Sequence, residues 1–239
     1  MYSVSIKTSE ELKKDDAYMK KLSQFHCRES LIADYKTRNI TEYKITNDDY
    51  DRIYQTYKNT DNVISLIAST NTGEIVGIAR LAIINSPTFA DFVEREQMVF
   101  SKEYIDYIRK NIDIFANNNN NTIVELTDLY INKEHQGIGL CPFLLLHTFN
   151  YCIRNTTYKS IYVTTNPDKP TLHILKYYFN DIVYKIFENA EGLNDTPWVS
   201  ERKFVRDYVI ILIANILKNF NILREITLNK KQHKICYNI

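Results

Sequence analysis

Two apolar, β-branched runs mark the first half of the chain, at residues 63–68 and 75–83. The polar segment between them, residues 69–74, contains Gly73. Short runs rich in Val and Ile that flank a glycine-containing polar segment are typical of an antiparallel hairpin. The pattern therefore predicts two paired strands.

Strand-like and helix-like patterns alternate in the second half. The predicted strands lie at residues 122–131, 160–165 and 182–187, and the predicted helices at residues 143–153 and 172–179. A strand–helix–strand succession of this kind is typical of a parallel βαβ unit. We therefore expect a mixed α/β (α+β) sheet with at least one such unit.

The flanking segments show mainly helical patterns. Residues 2–7 indicate a short strand. Ser9 is a candidate N-cap for a helix that continues to about residue 24, and residues 48–57 indicate a further helix. An insertion at residues 86–120 is expected to hold helices at 89–100 and 104–115. Residues 203–220 are predicted to be mostly helical, because residues 209–214 are apolar on nearly all faces of a helix.

These elements predict one domain over residues 1–239. Its core would span about residues 40–190, with an N-terminal helical extension at 1–40 and a C-terminal helical tail at 200–239. An apolar tail helix would pack inside the domain or between two subunits, so a homodimer is one expectation.

Composition excludes several classes of protein. The formal net charge is +1, which gives no global field for nucleic acid or anionic lipid. The longest apolar run, residues 209–217, is too short for a bilayer span. The four cysteines and five histidines show no metal-binding spacing, and the N-terminus does not resemble a signal peptide. We therefore expect a cytoplasmic protein with reduced thiols, no metal, no nucleic-acid partner and no membrane partner.

One turn carries the functional argument. Residues 130–141 take the chain from the end of a strand, through Gly137 and Gly139, to the start of a helix. Such a turn presents successive backbone N–H groups at the positive end of a helix dipole, where a phosphate binds favourably. Pro142 suits the first helical turn, where its missing N–H is not needed. The spacing is neither a dinucleotide-binding fingerprint nor a P-loop.

The segment Gln136-Gly-Ile-Gly139-Leu-Cys141 resembles the cofactor motif of the GNAT superfamily of N-acetyltransferases, Gln/Arg-x-x-Gly-x-Gly/Ala. The preceding residues, Thr127 to Ile131, are similar to the strand end before that motif. Cys141 departs from the pattern, since the family has Gly or Ala there. The resemblance covers roughly residues 60–187. It implies a GNAT-like, mostly antiparallel central sheet flanked by helices, with a splayed strand pair at the cofactor site.

The resemblance also implies a cosubstrate, acetyl-CoA, and an activity, acetyl or acyl transfer to a primary amine of a small molecule or a protein. The backbone of Leu129, Tyr130 and Ile131 would then pair with the pantetheine arm. The pyrophosphate would be held by Gln136, Gly137, Ile138, Gly139, Leu140 and Cys141. Asn166 matches a position that commonly contacts the arm, although a plain turn residue before Pro167 is an equal alternative.

Amide formation needs a neutral amine, so a carboxylate must accept a proton directly or through water. Glu125 matches the base of histone-type members, whereas Thr127 and Asp128 match the acidic pair of polyamine-type members. Strict alternation places Glu125 and Asp128 on opposite faces of the strand, so at most one of them is expected to be the base. Each is equally compatible with a structural ion pair.

A tyrosine often protonates the leaving thiolate in this superfamily, and Tyr177 or Tyr178 lies in the matching helix. The usual aromatic-x-x-x-Gly-Phe ending is absent, and packing is the other interpretation of both side chains. This absence and Cys141 favour the alternative function, a catalytically silent GNAT-fold module that binds acyl-CoA or a protein partner. The intact turn from Gln136 to Gly139 and the acidic strand before it favour the enzyme.

Overall fold

A computed structural model describes residues 2–37, 44–84, 102–111, 123–154, 161–165, 171–178, 183–193, 203–213, 224–228 and 231–235. The strands within these ranges are β1 (Tyr2–Thr8), β2 (Val63–Thr70), β3 (Ile75–Ile84), β4 (Ile123–Ile131), β5 (Ile161–Thr165), β6 (Val183–Leu193), β7 (Lys203–Ile213), β8 (Arg224–Leu228) and β9 (Lys231–Ile235). The helices are α1 (Ser9–Lys14), α2 (Asp16–Thr37), α3 (Asn47–Asn59), α4 (Lys102–Lys110), α5 (Leu140–Arg154) and α6 (Thr171–Tyr178).

The strands of the main sheet follow the order β1-β2-β3-β4-β5-β7-β6, and β8 and β9 form a separate two-stranded sheet. Strand β1 is antiparallel to β2 along its whole length, and β7 is antiparallel to both β5 and β6. Strands β4 and β5, which flank helix α5, are parallel. The predictions of a mostly antiparallel mixed sheet and of one parallel βαβ unit are therefore confirmed.

The chain forms two compact units. The first comprises residues 1–81, 128–148 and 226–233, and the second comprises residues 82–127, 149–225 and 234–239. Residues 2–8 form a strand of the sheet, which confirms the short strand predicted at residues 2–7.

The N-terminal helical segment differs from its prediction in two ways. The N-cap of α1 is Thr8, which forms a capping box with Glu11, whereas the Ser9 hydroxyl bonds the backbone of Val63. The predicted single helix is interrupted at Asp15, whose carboxylate accepts a hydrogen bond from the Tyr18 N–H. An Asp before a helical run is itself a good N-cap, so the sequence carried the signal for the break.

The core of the first unit lies between helices α2 and α3 and the sheet. Leu22 and Phe25 on α2, Ile53 and Tyr57 on α3, and Leu66 on β2 are all buried. On α3, the buried residues Ile53 and Tyr57 are one helical turn apart, which agrees with the amphipathic pattern predicted for residues 48–57. This packing brings polar residues of both helices against strands β3 and β4.

The helical prediction for residues 203–220 is wrong in its described part. Residues Lys203–Ile213 form strand β7, which pairs with β5 and β6. A strand that is buried on both faces can have a continuous apolar sequence, which hydrophobic periodicity alone does not distinguish from a buried helix. The β-branched residues Val209, Ile210, Ile211 and Ile213 favour the strand.

The predicted insertion is described only in part. Helix α4 confirms the start of the helix expected at residues 104–115. The helix expected at residues 89–100 and the asparagine-rich end of the insertion lie outside the described residues.

Candidate active site

The pairing of β4 with β5 stops before β4 ends. Within the described residues the ladder runs from Val124 opposite Ile161 to Leu126 opposite Val163. Strand β4 nevertheless continues to Ile131, and β5 continues to Thr165, where it pairs with β7. Within the described residues, the parallel ladder therefore covers only the first half of β4.

Hydrogen bonds fix the chain where it leaves β4. The Asn132 N–H donates to the Val76 carbonyl over 2.9 Å, and the Asn132 side chain accepts from the Glu134 N–H at the start of a 3-10 turn. The Gln136 side-chain amide donates to the Ile131 carbonyl over 2.8 Å, and its N–H donates to the Lys133 carbonyl over 3.3 Å. The Gln136 N–H and the Ile131 carbonyl are thus both engaged within the protein.

The backbone of residues 137–141, which follow Gln136, differs from that of Gln136 in its conformation and in the hydrogen bonding of its N–H groups. Gly137 and Gly139 have φ angles of 75° and 87°, a region that side chains disfavour. Helix α5 then begins, and its first backbone bond runs from the Phe143 N–H to the Gly139 carbonyl over 3.1 Å. Within the described part of the chain, no acceptor bonds the N–H groups of residues 137–141. A run of such donors at a helix N-terminus binds anions.

Cys141 lies in the first turn of α5, beside these donors. Burial raises the pKa of its thiol to about 11. The thiol is therefore neutral near pH 7 and adds no negative charge next to a bound phosphate. The departure from Gly or Ala at this position changes the volume of the turn and leaves its electrostatics unaffected.

Asp128, in the second half of β4, is in contact with two side chains from different elements. Arg80 Nη1 on β3 lies 3.2 Å from Oδ2, and His26 Nε2 on α2 lies 3.4 Å from Oδ1. The Asp128 side chain is 16% exposed, and Arg80 and His26 are buried. The Asp128 carboxylate is therefore in contact with a guanidinium cation and with an imidazole.

Tyr57 on α3 holds the other side of this cluster. Its hydroxyl lies 3.1 Å from His26 Nδ1, and the Arg80 guanidinium lies 4.4 Å from the centre of its ring. Burial raises the pKa of the Tyr57 phenol, so the hydroxyl keeps its proton. The Tyr57 hydroxyl and His26 Nδ1 therefore share a hydrogen bond whose donor is set by the tautomer of the imidazole.

Helix α2 contacts the end of β4 again one turn later. Glu29 is buried, and its Oε1 accepts from Arg28 Nε over 2.9 Å and from the Asn132 side chain over 3.4 Å. His26 and Glu29 thus attach α2 to both ends of the segment from Asp128 to Asn132. The ring of Tyr130, within that segment, lies 5.4 Å from the ring of His26.

The structure describes some of the predicted site residues less fully. Glu125 is buried near the start of β4, opposite Tyr162 of β5. Tyr178 is the last residue of α6, and its side chain lies outside the described part, as does Asn166. Sequence reasoning missed His26, Tyr57 and Arg80, which lie far from Asp128 along the chain and have no spacing motif.

The described residues give no sign of a metal centre or a membrane span. They contain no group of three or more His, Cys, Asp or Glu side chains that could hold a metal ion. Among the helices in these ranges, none combines the length and apolar character needed to cross a membrane.

No protein-family model matches the sequence, and no curated protein matches it by sequence. In structure, the chain is similar to a candidate acetyltransferase from Acinetobacter baylyi ADP1, with a TM-score of 0.52 and 12% identity over 90% of this chain and 93% of that one. It is also similar to a GNAT-family acetyltransferase from Streptococcus pneumoniae, with a TM-score of 0.43 and 15% identity over 89% of this chain and 100% of that one. A third similar structure is Arabidopsis thaliana NAA60 in complex with acetyl-CoA, with a TM-score of 0.49 and 12% identity over 90% of this chain and 98% of that one.

At these identities the likeness is one of fold. The order of the strands and the interrupted β4–β5 ladder agree with it. The protein therefore has a fold similar to that of the Acinetobacter baylyi protein.

Proposed function

We propose that this protein is an acetyl-CoA-dependent N-acyltransferase that acetylates an amine of a small molecule or a protein. One observation carries the proposal: the N–H groups of residues 137–141 have no acceptor within the described part of the chain. A pyrophosphate supplies the anionic oxygens that these donors and the α5 dipole favour. Gly137 and Gly139 allow the backbone to take this shape.

The strand before the turn would orient the rest of the cosubstrate. The β4–β5 ladder ends at Leu126, so the backbone of Leu129 and Tyr130 is suited to pair with an extended, amide-bearing arm. Ile131 would contribute its N–H alone, because Gln136 occupies its carbonyl. Asn166 is proposed as a further contact with the arm.

Acetyl-CoA supplies an acyl group activated as a thioester. The acceptor arrives as an ammonium ion and must lose one proton before its nitrogen can attack. We assign that proton to a carboxylate of β4, Asp128 or Glu125. As the C–N bond forms and the C–S bond breaks, a second proton passes from the nitrogen to the sulfur, and Tyr178 is the proposed relay. The carboxylate then returns its proton to solvent.

One observation favours a second candidate, a module that binds acyl-CoA without catalysis. The Asp128 carboxylate accepts a hydrogen bond from Arg80, whose cation stabilises the charged form of this carboxylate. A guanidinium close to a carboxylate weakens it as a base. The silent module shares the anion-binding turn with the enzyme, so binding and turnover have to be measured separately.

The binding test is calorimetric titration with CoA and acetyl-CoA, together with thermal unfolding. At a hundred times the dissociation constant the ligand stabilises the fold by about 2.7 kcal/mol. Gly139→Trp should abolish binding, because a bulky side chain fills the turn. Gly73→Trp is the matched control, since Gly73 also has a positive φ angle but lies in the β2–β3 turn. Absence of saturable binding at millimolar CoA in the parent protein would overturn both candidate functions.

The turnover test is CoA release from acetyl-CoA in the presence of a panel of amines. Release that depends on an amine, with the acetylated amine identified by mass, supports the enzyme. Saturable CoA binding without acetylated product on any amine of the panel supports the silent module.

A further inference from the structure

The first glycine of the turn at residues 137–141 is not held by packing. A Cβ atom added to Gly137 would meet no heavy atom within 4 Å beyond its chain neighbours, and Gly137 is exposed. On the helical side of the turn, Leu140 and Leu144 are buried in the first turns of α5. The conformation of the turn therefore depends on the contacts that fix residues 133–136, which precede it.

One long-range contact reaches this preceding segment from the edge strand β1. The Tyr2 hydroxyl lies 2.9 Å from His135 Nδ1, although the two residues are 133 positions apart along the chain. Their rings meet edge to face, with centres 5.7 Å apart. A phenol hydroxyl both donates and accepts, so this hydrogen bond forms with either tautomer of the imidazole. The bond attaches the residue next to Gln136 to the sheet.

Strand β1 gives the Tyr2 side chain a fixed support. Its residues pair with β2 along their whole length, and Tyr2 lies opposite Thr70. Just beyond the other end of β1, the Ser9 hydroxyl donates to the Val63 carbonyl over 2.9 Å and accepts from the Val63 N–H over 3.0 Å. A side chain on a paired strand is held more precisely than one on a loop. Tyr2 can therefore restrict the loop that it contacts.

We propose that Tyr2 is a positioning residue for cosubstrate binding, which acts through His135 to hold residues 133–136 in the conformation from which the glycine turn presents its N–H groups to a pyrophosphate. This inference rests on the proposed function and gives β1 a part in it. Gly137 and Gly139 allow the turn other backbone conformations. A ligand binds more weakly when the competent conformation is only partly populated, and the contact from Tyr2 raises that population.

The direct test follows the turn without any ligand. Amide hydrogen exchange is measured by NMR at His135 and Gln136, whose N–H groups donate to carbonyls three residues earlier. Tyr2→Phe removes one hydroxyl and keeps the ring. Both amides should then exchange faster, by about threefold or more, because the segment opens locally more often. Amides of β5 and β7, which pair with each other, should keep the parent rates. Parent-like exchange at both His135 and Gln136 would overturn the inference.

Calorimetric titration with CoA connects the contact to binding. Tyr2→Phe should raise the dissociation constant by about threefold to tenfold, the range expected for one hydrogen bond that holds the competent conformation. Tyr54→Phe is the matched control, because its hydroxyl bonds Asp16 on α2 rather than a residue of the turn. The control should bind CoA like the parent. An equal weakening in both variants would indicate a general loosening of the fold and would overturn the assigned role of Tyr2.

Variants of His135 separate this contact from any other interaction of Tyr2. The Asn side chain places its amide near the position of Nδ1, so His135→Asn should retain most of the CoA affinity. The Gln side chain places its amide near the position of Nε2, so His135→Gln should weaken binding as Tyr2→Phe does. In the His135→Gln background, Tyr2→Phe should have no further effect, and full additivity of the two changes would contradict the proposal. His135→Gln also provides the test if Tyr2→Phe does not fold.

Kinetics distinguish positioning from a structural role. On an amine accepted by the parent, Tyr2→Phe should raise KM for acetyl-CoA and leave kcat nearly unchanged, because the contact acts on binding alone. A purely structural role predicts lower stability in urea with the parent CoA affinity in the folded protein. Failure of the parent to bind CoA would overturn the proposed function, whereas binding by the parent with the same affinity in Tyr2→Phe would overturn only the inference.

Discussion

Gly77 on β3 and Ile131 at the end of β4 approach each other so closely that a side chain on Gly77 would require Ile131 Cδ1 to move. A Cβ atom there would lie 2.7 Å from Ile131 Cδ1 and 3.4 Å from the Tyr130 carbonyl oxygen. The missing side chain therefore sets the distance between β3 and the part of β4 that leads into the glycine turn.

We expect Gly77→Val to destabilise the protein by about 1–3 kcal/mol, because overpacking forces side chains and backbone to move. The displaced strand end should also weaken CoA binding, since Gln136 attaches the turn to the Ile131 carbonyl. Urea unfolding measures the first effect and calorimetry the second.

A double-mutant cycle identifies the atom responsible. Ile131→Val removes Cδ1, so Gly77→Ala should cost less in that background than in the parent. Contacting residues show coupling of about 0.5 kcal/mol or more, whereas independent sites add within about 0.3–0.5 kcal/mol. Strict additivity would show that Cδ1 does not limit the approach.

The two carboxylates of β4 are distinguished by isosteric amides. Asp128→Asn cannot accept a proton and should lower kcat by on the order of 10² or more with little change in CoA affinity. Glu125→Gln should then have a much smaller effect, because strict alternation places the two side chains on opposite faces of β4, so at most one of them can face the acceptor amine. Steady-state rates from pH 6 to 9 test this, and parent-like turnover of Asp128→Asn would assign the base elsewhere.

Stability should fall in mild alkali because of the buried thiol in the glycine turn. The pKa of the Cys141 thiol is raised by burial from 9.0 to about 11. The unfolded chain therefore loses this proton at a lower pH than the folded protein does. The stabilising contribution is complete below pH 9 and is lost as the pH rises towards 11.

Urea unfolding at pH 8 and pH 10 measures this loss, which should be on the order of 1 kcal/mol for Cys141. Cys141→Ala should reduce the difference between the two pH values and retain CoA binding, because Ala is small and does not ionise. An unchanged difference would assign the alkaline sensitivity to other groups.

Truncation tests the role of the C-terminal segment, whose described part includes strand β7 in place of the predicted helix. Strand β7 pairs with both β5 and β6. Removing residues 203–239 takes β7 away and exposes an unpaired edge on each of these two strands. We expect aggregated protein by size-exclusion chromatography. Removing residues 224–239 takes away only the separate β8–β9 sheet and should leave soluble protein that binds CoA. A monodisperse, CoA-binding product of the longer truncation would show that β7 is dispensable.

The sequence alone determined the features that depend on neighbours along the chain. The hairpin of β2 and β3, the succession β4–α5–β5 and the turn at Gly137 and Gly139 all follow from local periodicity and from residues within a few positions of each other. Local sequence also explains why the N-cap of α1 was expected at Ser9 and lies at Thr8. Two hydroxyl residues that can each cap a helix are adjacent, and only one of them caps α1.

Only the tertiary structure decided that residues 203–213 form a strand. Their continuous apolar pattern fits a buried helix as well as a strand, and pairing with β5 and β6 chose between them. The environment of Asp128 was also invisible in the sequence, because His26 and Arg80 approach it from elements far away along the chain. Periodicity predicts which face of an element is buried, but the partner that a buried charge meets depends on how separate elements pack.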